Sequence, residues 1–510
     1  MDLEFKTQTV HVYELGEQQV LGQEETLETI VPDYCPDIAR ILQTEGTVGI
    51  HNRTMTPTGV QVTGTIRITV LYVPEGVGGV RSLEYAMPFS LESTAMAGCA
   101  HVTVQTELEQ LDSRTLNPRK LFTHCKLMSR LTGHRLKAQT LCTDVVSPEG
   151  CGIETQYMSQ KAVVVEKIVE KDCTFAEEMS LSPAKGGATE ILMSRVTPQV
   201  NETKVMGNKL IFKGVFHSWV LYATGSGAHC TATDQVPFSH IMDIGDQVEG
   251  VWATVGVDLT GWEVQLDSSD DEGRRISLTL YAHATAMMRQ EQQWTLLDDL
   301  YATAYDVGYH RETVQVECLW EPLRRRQTLR EVLEIGVVPQ AVMATMVSCS
   351  PVQVVREGQM VSLRTTAMVK VIYSDESGAA LSVQRAVEVT TQMELPVHYA
   401  VCVQALALEE PQSVLGERGI EVRFCVDYVG EVRASGQCSC IASGQVDLTT
   451  PKDLSGAPSL VLRRLETGMT PWMLAKIHHT TVATILSANQ CASKEELPRG
   501  ELLLIPKKRG

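Results

Sequence analysis

A chain of 510 residues, 43% hydrophobic and 21% charged, has the composition of folded globular protein and the length for three or four domains. Its net charge of −18 makes nucleic acid and anionic membrane poor partners, and an aromatic content of 5% argues against an aromatic-lined sugar- or base-stacking surface. The acidity is uneven: residues 461–510 hold eight Lys or Arg against four acids, so a basic end follows a strongly acidic body, a distribution able to steer oppositely charged partners together.

The chain opens Met-Asp-Leu-Glu-Phe-Lys, without the basic stretch and apolar run of a secretion signal, and no segment is long and apolar enough to span a bilayer. Cysteines such as Cys318, Cys349, Cys402 and Cys425 stand singly in apolar segments, as buried reduced thiols of a cytosolic protein do.

Three segments align in one register: Val60–Tyr72, Leu210–Tyr222 and Val361–Tyr373, their tyrosines 150 and 151 residues apart. Alternation of apolar and polar residues, as in Ile66, Ile68, Val70 or Val369, Val371, marks strands. A Gly-containing turn follows each: Pro74–Gly79, Thr224–Gly227 and Asp375–Gly378. In the first two repeats the next strand carries Met87-Pro88-Phe89 and Val236-Pro237-Phe238. The expected fold is mainly β: three tandem antiparallel β-domains, each a sandwich or curled barrel, over 1–150, 151–308 and 309–448. Short helices are expected near Pro36–Gln43 and Thr328–Glu334. Residues 449–459 read as a linker to a last domain at 460–510.

Candidate chemistry is sparse. The recurring glycine turns lack the Lys-Ser/Thr and helix of a phosphate loop. The run Asp267–Gly273 lacks calcium-loop spacing and reads as an acidic hairpin tip. Cys438 and Cys440 lie one residue apart on one strand face, too close for a zinc knuckle. His229-Cys230, at a hairpin, and His478-His479, at a helix end, carry no partner signature. No catalytic or metal-ligating residue and no cofactor is assigned; the expectation is a non-enzyme.

The end of the chain is more specific. Thr470 before Pro471 suits an N-cap followed by Pro at the first helical position, and Trp472, Leu474, Ala475 and Ile477 supply an apolar stripe. Thr480 or Thr481 can cap a second helix carrying Val482, Ile485 and Leu486. Leu460, Leu462 and Leu465 give a strand before, and Leu497, Gly500, Leu502, Ile505 and Pro506 one after. With Gly468 and Asn489 this pattern resembles a LysM module, a small βααβ binding domain. The resemblance places a groove at Gly468, Met469, Thr470 and Pro471, with Asn489 and Gln490 beyond the second helix. Its usual ligand is an N-acetylglucosamine polymer such as peptidoglycan. Met469 in place of the common Asp, and Arg463 in place of a frequent Tyr, suit a protein surface better. Trp472 reads as a core anchor.

Val31-Pro32-Asp33-Tyr34-Cys35-Pro36-Asp37-Ile38 resembles the Pro-Asp signature of the SPOCS domain. Tandem SPOCS-type domains followed by LysM resemble the SipL-like spore coat morphogenetic proteins of clostridial endospore formers. That resemblance implies a mother-cell scaffold at the forespore surface, part of the spore coat, with the coat-basement ATPase SpoIVA as partner.

Overall fold

The structure is a computed structural model and describes residues 1–510 except 77, 247–248, 268, 271, 418, 454–455, 457, 465, 467, 498–500 and 508–510. Of the positions singled out above, Leu465, Gly500 and Asp271 lie outside the described residues.

Strands dominate. The first repeat contains β1 (Glu4–Ile30), β2 (Ile38–Thr56), β3 (Gly59–Pro74), β4 (Arg81–Ser93), β5 (His101–Asn117) and β6 (Lys120–Val146). The second contains β7 (Ile153–Ser180), β8 (Ala188–Met206), β9 (Lys209–Thr224), β10 (His229–Asp243), β11 (Val251–Leu266) and β12 (Arg275–Ala302). The third contains β13 (Asp306–Glu334), β14 (Pro339–Cys349), β15 (Gln353–Glu357), β16 (Met360–Asp375), β17 (Ala380–Glu394), β18 (Tyr399–Leu406), β19 (Gln412–Leu415) and β20 (Gly419–Asp447).

The repeats share one plan, two open antiparallel sheets face to face. In the first, β1-β6-β5 packs on β2-β3-β4, with Val62, Ile66, Ile68 and Tyr72 meeting Leu121, Cys125 and Leu127. This is the sandwich alternative; no barrel closes. The expected helices are absent. Residues 38–43 begin β2, with Ile38 buried, and Thr328–Glu334 pair with Gly419–Cys425 inside the β13–β20 ladder. The Leu329, Val332, Leu333 spacing mimics a helix, but Leu333 is buried while Val332 is 47% exposed, as strand alternation requires.

The hairpin turns fall where the glycines placed them, and Gly227 and Gly378 take φ of +80° and +81°. In the Asp267 loop the carboxylates are consumed locally: Asp267 accepts from Ser269, and Asp270 from the amides of Glu272, Arg274 and Arg275. The tip is built by Asx-type turns.

The outer strands run for 27 to 29 residues, far beyond the usual strand, because each serves two cores. In β1 the tip half, from about Leu21 to Ile30, packs in its own sandwich. Past an irregularity between Leu15 and Gln18 the β1–β6 ribbon leaves the block. There Val10 and Leu141 meet Ala162, Val164 and Leu296 of the second repeat and Val314, Val316, Cys438 and Cys440 of the third. Nearer the base, Leu3 and Val145 meet Leu297, Leu300, Ile441 and Val446. Equivalent strands from all three repeats enter each cluster, so the repeats surround a pseudo-threefold axis and are not beads on a string. A further shared cluster joins Leu42 and Leu71, Leu192 and Leu221, and Met346 and Ile372.

Cys438 and Cys440 are core thiols at that axis; burial pushes Cys438 up to about 11. His229 and Cys230 are neighbours on one strand, and alternation turns their side chains to opposite faces. Among the described residues all fourteen cysteines are free, and no helix is long and apolar enough to cross a membrane.

Candidate functional site: a C-terminal module latched to the body

The chain ends in a βααβ unit: β21 (Leu460–Arg464), α1 (Pro471–Ile477), α2 (Val482–Ala488), one 3-10 turn at Lys494–Glu496, and β22 (Leu502–Pro506), antiparallel to β21. Each helix is begun by a threonine whose hydroxyl accepts from a backbone amide, Thr470 from Met473 at 3.2 Å and Thr481 from Thr484 at 3.0 Å. Trp472, Leu474, Ala475, Ile485, Leu503 and Ile505 form its core. The strand phase is the reverse of the one the leucines suggested. Val461 packs inward, whereas Leu460 and Leu462 are 51% and 55% exposed.

The six groove candidates divide in two. Thr470 spends its hydroxyl on the cap. Asn489 is also structural: its amide donates to the carbonyls of Ile485 and Leu504, both at 2.7 Å, and accepts from the Leu504 amide at 2.9 Å, tying α2 to β22. Gly468 is exposed at φ +88°, and Gln490 is exposed at φ +56°. Met469 and Pro471 are half-buried, Met469 resting on the module core. No side-chain hydrogen bond among the described residues joins 468–471 to 489–490.

What sequence reasoning missed is the seat of the module. Asp299, near the end of β12, accepts from the Trp472 indole N–H at 2.7 Å, from the Lys476 ammonium at 2.6 Å and from the Tyr309 hydroxyl at 2.7 Å. Tyr301 stacks edge-on against Trp472 with centroids 4.9 Å apart and donates to the Thr480 carbonyl at 2.7 Å. Lys452 pins the linker by donating to the Ala302 carbonyl at 3.0 Å. Trp472 is therefore core anchor and body contact together. Only the acid pair Asp298-Asp299 beside Tyr301 hinted at the seat, too common a pattern to read.

Burial pushes the Asp299 carboxyl up, yet its hydrogen bonds to Lys476, Trp472 and Tyr309 hold it below the ordinary 3.8. For Lys476 burial works downward, and Asp299 prevails to raise it above the ordinary 10.5. A depressed acid stabilises above its unfolded pKa and loses that as pH falls through the folded one. A raised lysine stabilises below its unfolded pKa and loses that as pH rises through the folded one. Docking is thus expected to hold from about pH 4 to about pH 10 and to loosen outside that window. Asp299→Asn is expected to free the module near neutrality, read as faster proteolysis within 449–459 with the body intact.

The Pro-Asp loop of the first repeat is equally well built. The Arg119 guanidinium donates to the carbonyls of Val31 and Cys35 and to the carboxylates of Asp33 and Asp37, at 2.8 to 3.1 Å. This clamp gives the two aspartates of the signature a structural purpose. The SipL family model, described as the SPOCS domain, matches residues 37–116 and 188–267. The chain carries tandem SPOCS domains of the SipL type. The matched spans cover β2 to β5 and β8 to β11, equivalent parts of the first two repeats. The match relates the chain to sporulation. No curated protein and no solved structure matches it.

The third repeat departs where the first two agree. Gly64 and Gly214 lie opposite Phe89 and Phe238 on the neighbouring strand, and the equivalent pair in the third repeat is Thr365 and Val389. There the partner strand breaks into β14 and β15, and Thr365 Oγ1 donates to the Ser350 carbonyl in the gap at 2.6 Å. The first two repeats keep β2 and β8 continuous.

Proposed function

We propose that this protein is a non-enzymatic scaffold of endospore coat assembly, working in the mother cell at the forespore surface. In this reading the SPOCS-bearing body is a rigid platform, and the C-terminal module, LysM-like in sequence, docks a coat-basement ATPase of the SpoIVA kind. One observation carries the reading. The α1 side chains Trp472 and Lys476 are spent on the body, while Gly468, Met469 and Gln490 form no hydrogen bond to it among the described residues. A module fixed in this way presents its lip without the ordering cost of a tethered domain.

Capture of the purified ATPase by the full chain is expected to weaken about tenfold in Met469→Asp, the cost of placing a charge in a contact of this kind. Gln490→Ala, at an exposed position, provides a second variant that leaves the module core untouched. Capture unchanged by both variants and by removal of 460–510 rejects the docking role. Co-sedimentation with purified peptidoglycan that is lost in the same variants, without ATPase capture, replaces the protein ligand by the glycan.

A further inference from the structure

One position around the pseudo-threefold axis carries a basic side chain in every repeat. His134, Arg289 and Arg433 each stand seven residues before Leu141, Leu296 and Cys440, which β6, β12 and β20 send into the shared cluster. All three lie beside the register irregularities of the β1–β6, β7–β12 and β13–β20 ribbons. His134 and Arg289 are 6% and 4% exposed. Cations buried together are costly unless each is paired.

The two arginines are paired. Glu431 lies 3.2 Å from Arg433 and 3.9 Å from Arg289, Glu317 lies 3.9 Å from Arg433, and Arg289 sits over Trp320 at 4.7 Å from the ring centroid. His134 has no carboxylate partner among the described residues, and its Nε2 forms no hydrogen bond among them. His101 stands opposite it in the β5–β6 register, with ring centroids 6.0 Å apart, and across β1 the neighbour is the apolar Leu15. Burial first, then His101, Arg433 and Arg289, push the His134 imidazole down from 6.5 to about 4, so it is neutral near neutrality.

We propose that His134 makes this joint proton-operated: charging it between Arg289 and Arg433 opens the packing at the axis, while each sandwich stays folded. Neutral His134 favours the closed joint above its ordinary pKa, and that contribution is lost as pH falls from about 6.5 towards about 4. It is the one member of the basic triad that can change charge in this range. No partner is needed, so this joint and ATPase docking fail separately.

Other ties bound the movement. Glu45 keeps Arg195 and Lys370 through this window, its carboxyl being held below 4.5. Glu170 of the second repeat meets Arg53 of the first, lies 3.5 Å from His101 and 3.2 Å from His283, and Asp172 meets His283 at 2.8 Å. The Glu170 hydrogen bond raises His283 above 6.5, so this tie strengthens as pH falls. Burial raises the Glu317 carboxyl, and its protonation likewise favours the closed joint. The parent chain's pH profile reads the sum of these contributions, and His134→Gln isolates the share of His134.

The chain's own thiols report the opening. Cys438 and Cys440 are 2% and 3% exposed at the axis, whereas Cys125 and Cys173 lie inside the first and second sandwiches. The full chain is labelled with dithiodipyridine from about pH 7 to about pH 5, each rate divided by that of a free cysteine peptide at the same pH, and the sites are resolved by mass spectrometry. The expected result is a rise of about tenfold or more at Cys438 and Cys440, with Cys125 and Cys173 unchanged. His134→Gln, which takes no proton in this range, is expected to flatten the rise, and His398→Gln, at an exposed position, to leave it intact. Axis thiols that stay protected in the parent chain to about pH 5 overturn the proposal, and that arm needs no variant. So does labelling of Cys125 and Cys173 in step with them, or a His134→Gln variant with the parent's profile.

Discussion

Glu45→Ala is expected to cost about 3 to 5 kcal/mol, the loss typical when one partner of a buried ion pair is removed. Glu45 on β2 of the first repeat meets Lys370 of the third at 2.9 Å and Arg195 of the second at 3.0 Å, with its side chain 17% exposed. Burial drives its carboxyl up, but the two cations and the Gln43 amide outweigh that and hold it below the ordinary 4.5. The pseudo-symmetry makes the arrangement legible: Glu45, Arg195 and Met346 are equivalent, since they pair with Thr69, Trp219 and Lys370. One position carries an acid, a base and an apolar group in the three repeats. A symmetric trimer cannot do this, and it fixes which repeat stands beside which. The replacement leaves Arg195 and Lys370 facing each other beside the apolar cluster of Leu42, Leu221 and Ile372.

Denaturant midpoints measure the loss. The triple change Glu45→Met, Arg195→Met, Lys370→Met is expected to be neutral or stabilising, since it removes the charges together and extends the apolar layer. If Glu45→Ala alone is silent, the ion cluster does not hold the repeats together. The depressed carboxylate stabilises above its ordinary pKa and loses that contribution as pH falls through the folded value, so the variant and parent should converge in acid.

The sheets were readable because strand alternation and glycine turns are local signals, repeated three times in one register. The shared axis was not. Leu42 and Leu71 face a neighbouring repeat, but a residue buried between repeats and one buried within a sandwich carry the same apolar signature. The one available clue is Val70–Val73, where apolar residues run without alternation because both faces of β3 are covered. In the module, capping chemistry located both helices, since Thr470-Pro471 and Thr481 are local. The Asp299 seat was hidden because Asp299 of β12, Tyr309 of β13 and Trp472 and Lys476 of α1 are brought together only by tertiary packing.

Gly214→Ala is expected to be strongly destabilising for the second repeat. Its Cβ would lie far inside van der Waals contact distance of the Gln199 carbonyl oxygen, on the paired strand β8, and 2.7 Å from Phe238 Cζ. Gly64 repeats the geometry, its Cβ falling 2.5 Å from both the Gly49 carbonyl and Phe89 Cζ. The phenyl ring can rotate; the carbonyl belongs to a ladder and cannot move without breaking it. Overpacking of this kind costs about 1 to 3 kcal/mol when side chains absorb it and more when backbone must. The third repeat shows the outcome, with a side chain at Thr365 and an interrupted partner strand. Gly214→Ala should therefore lower the denaturant midpoint and speed amide exchange around 198–202, while exchange at 48–52 in the first repeat stays slow. Faster exchange confined to β10, with β8 unchanged, would mean that Phe238 yields and the carbonyl contact is not the constraint.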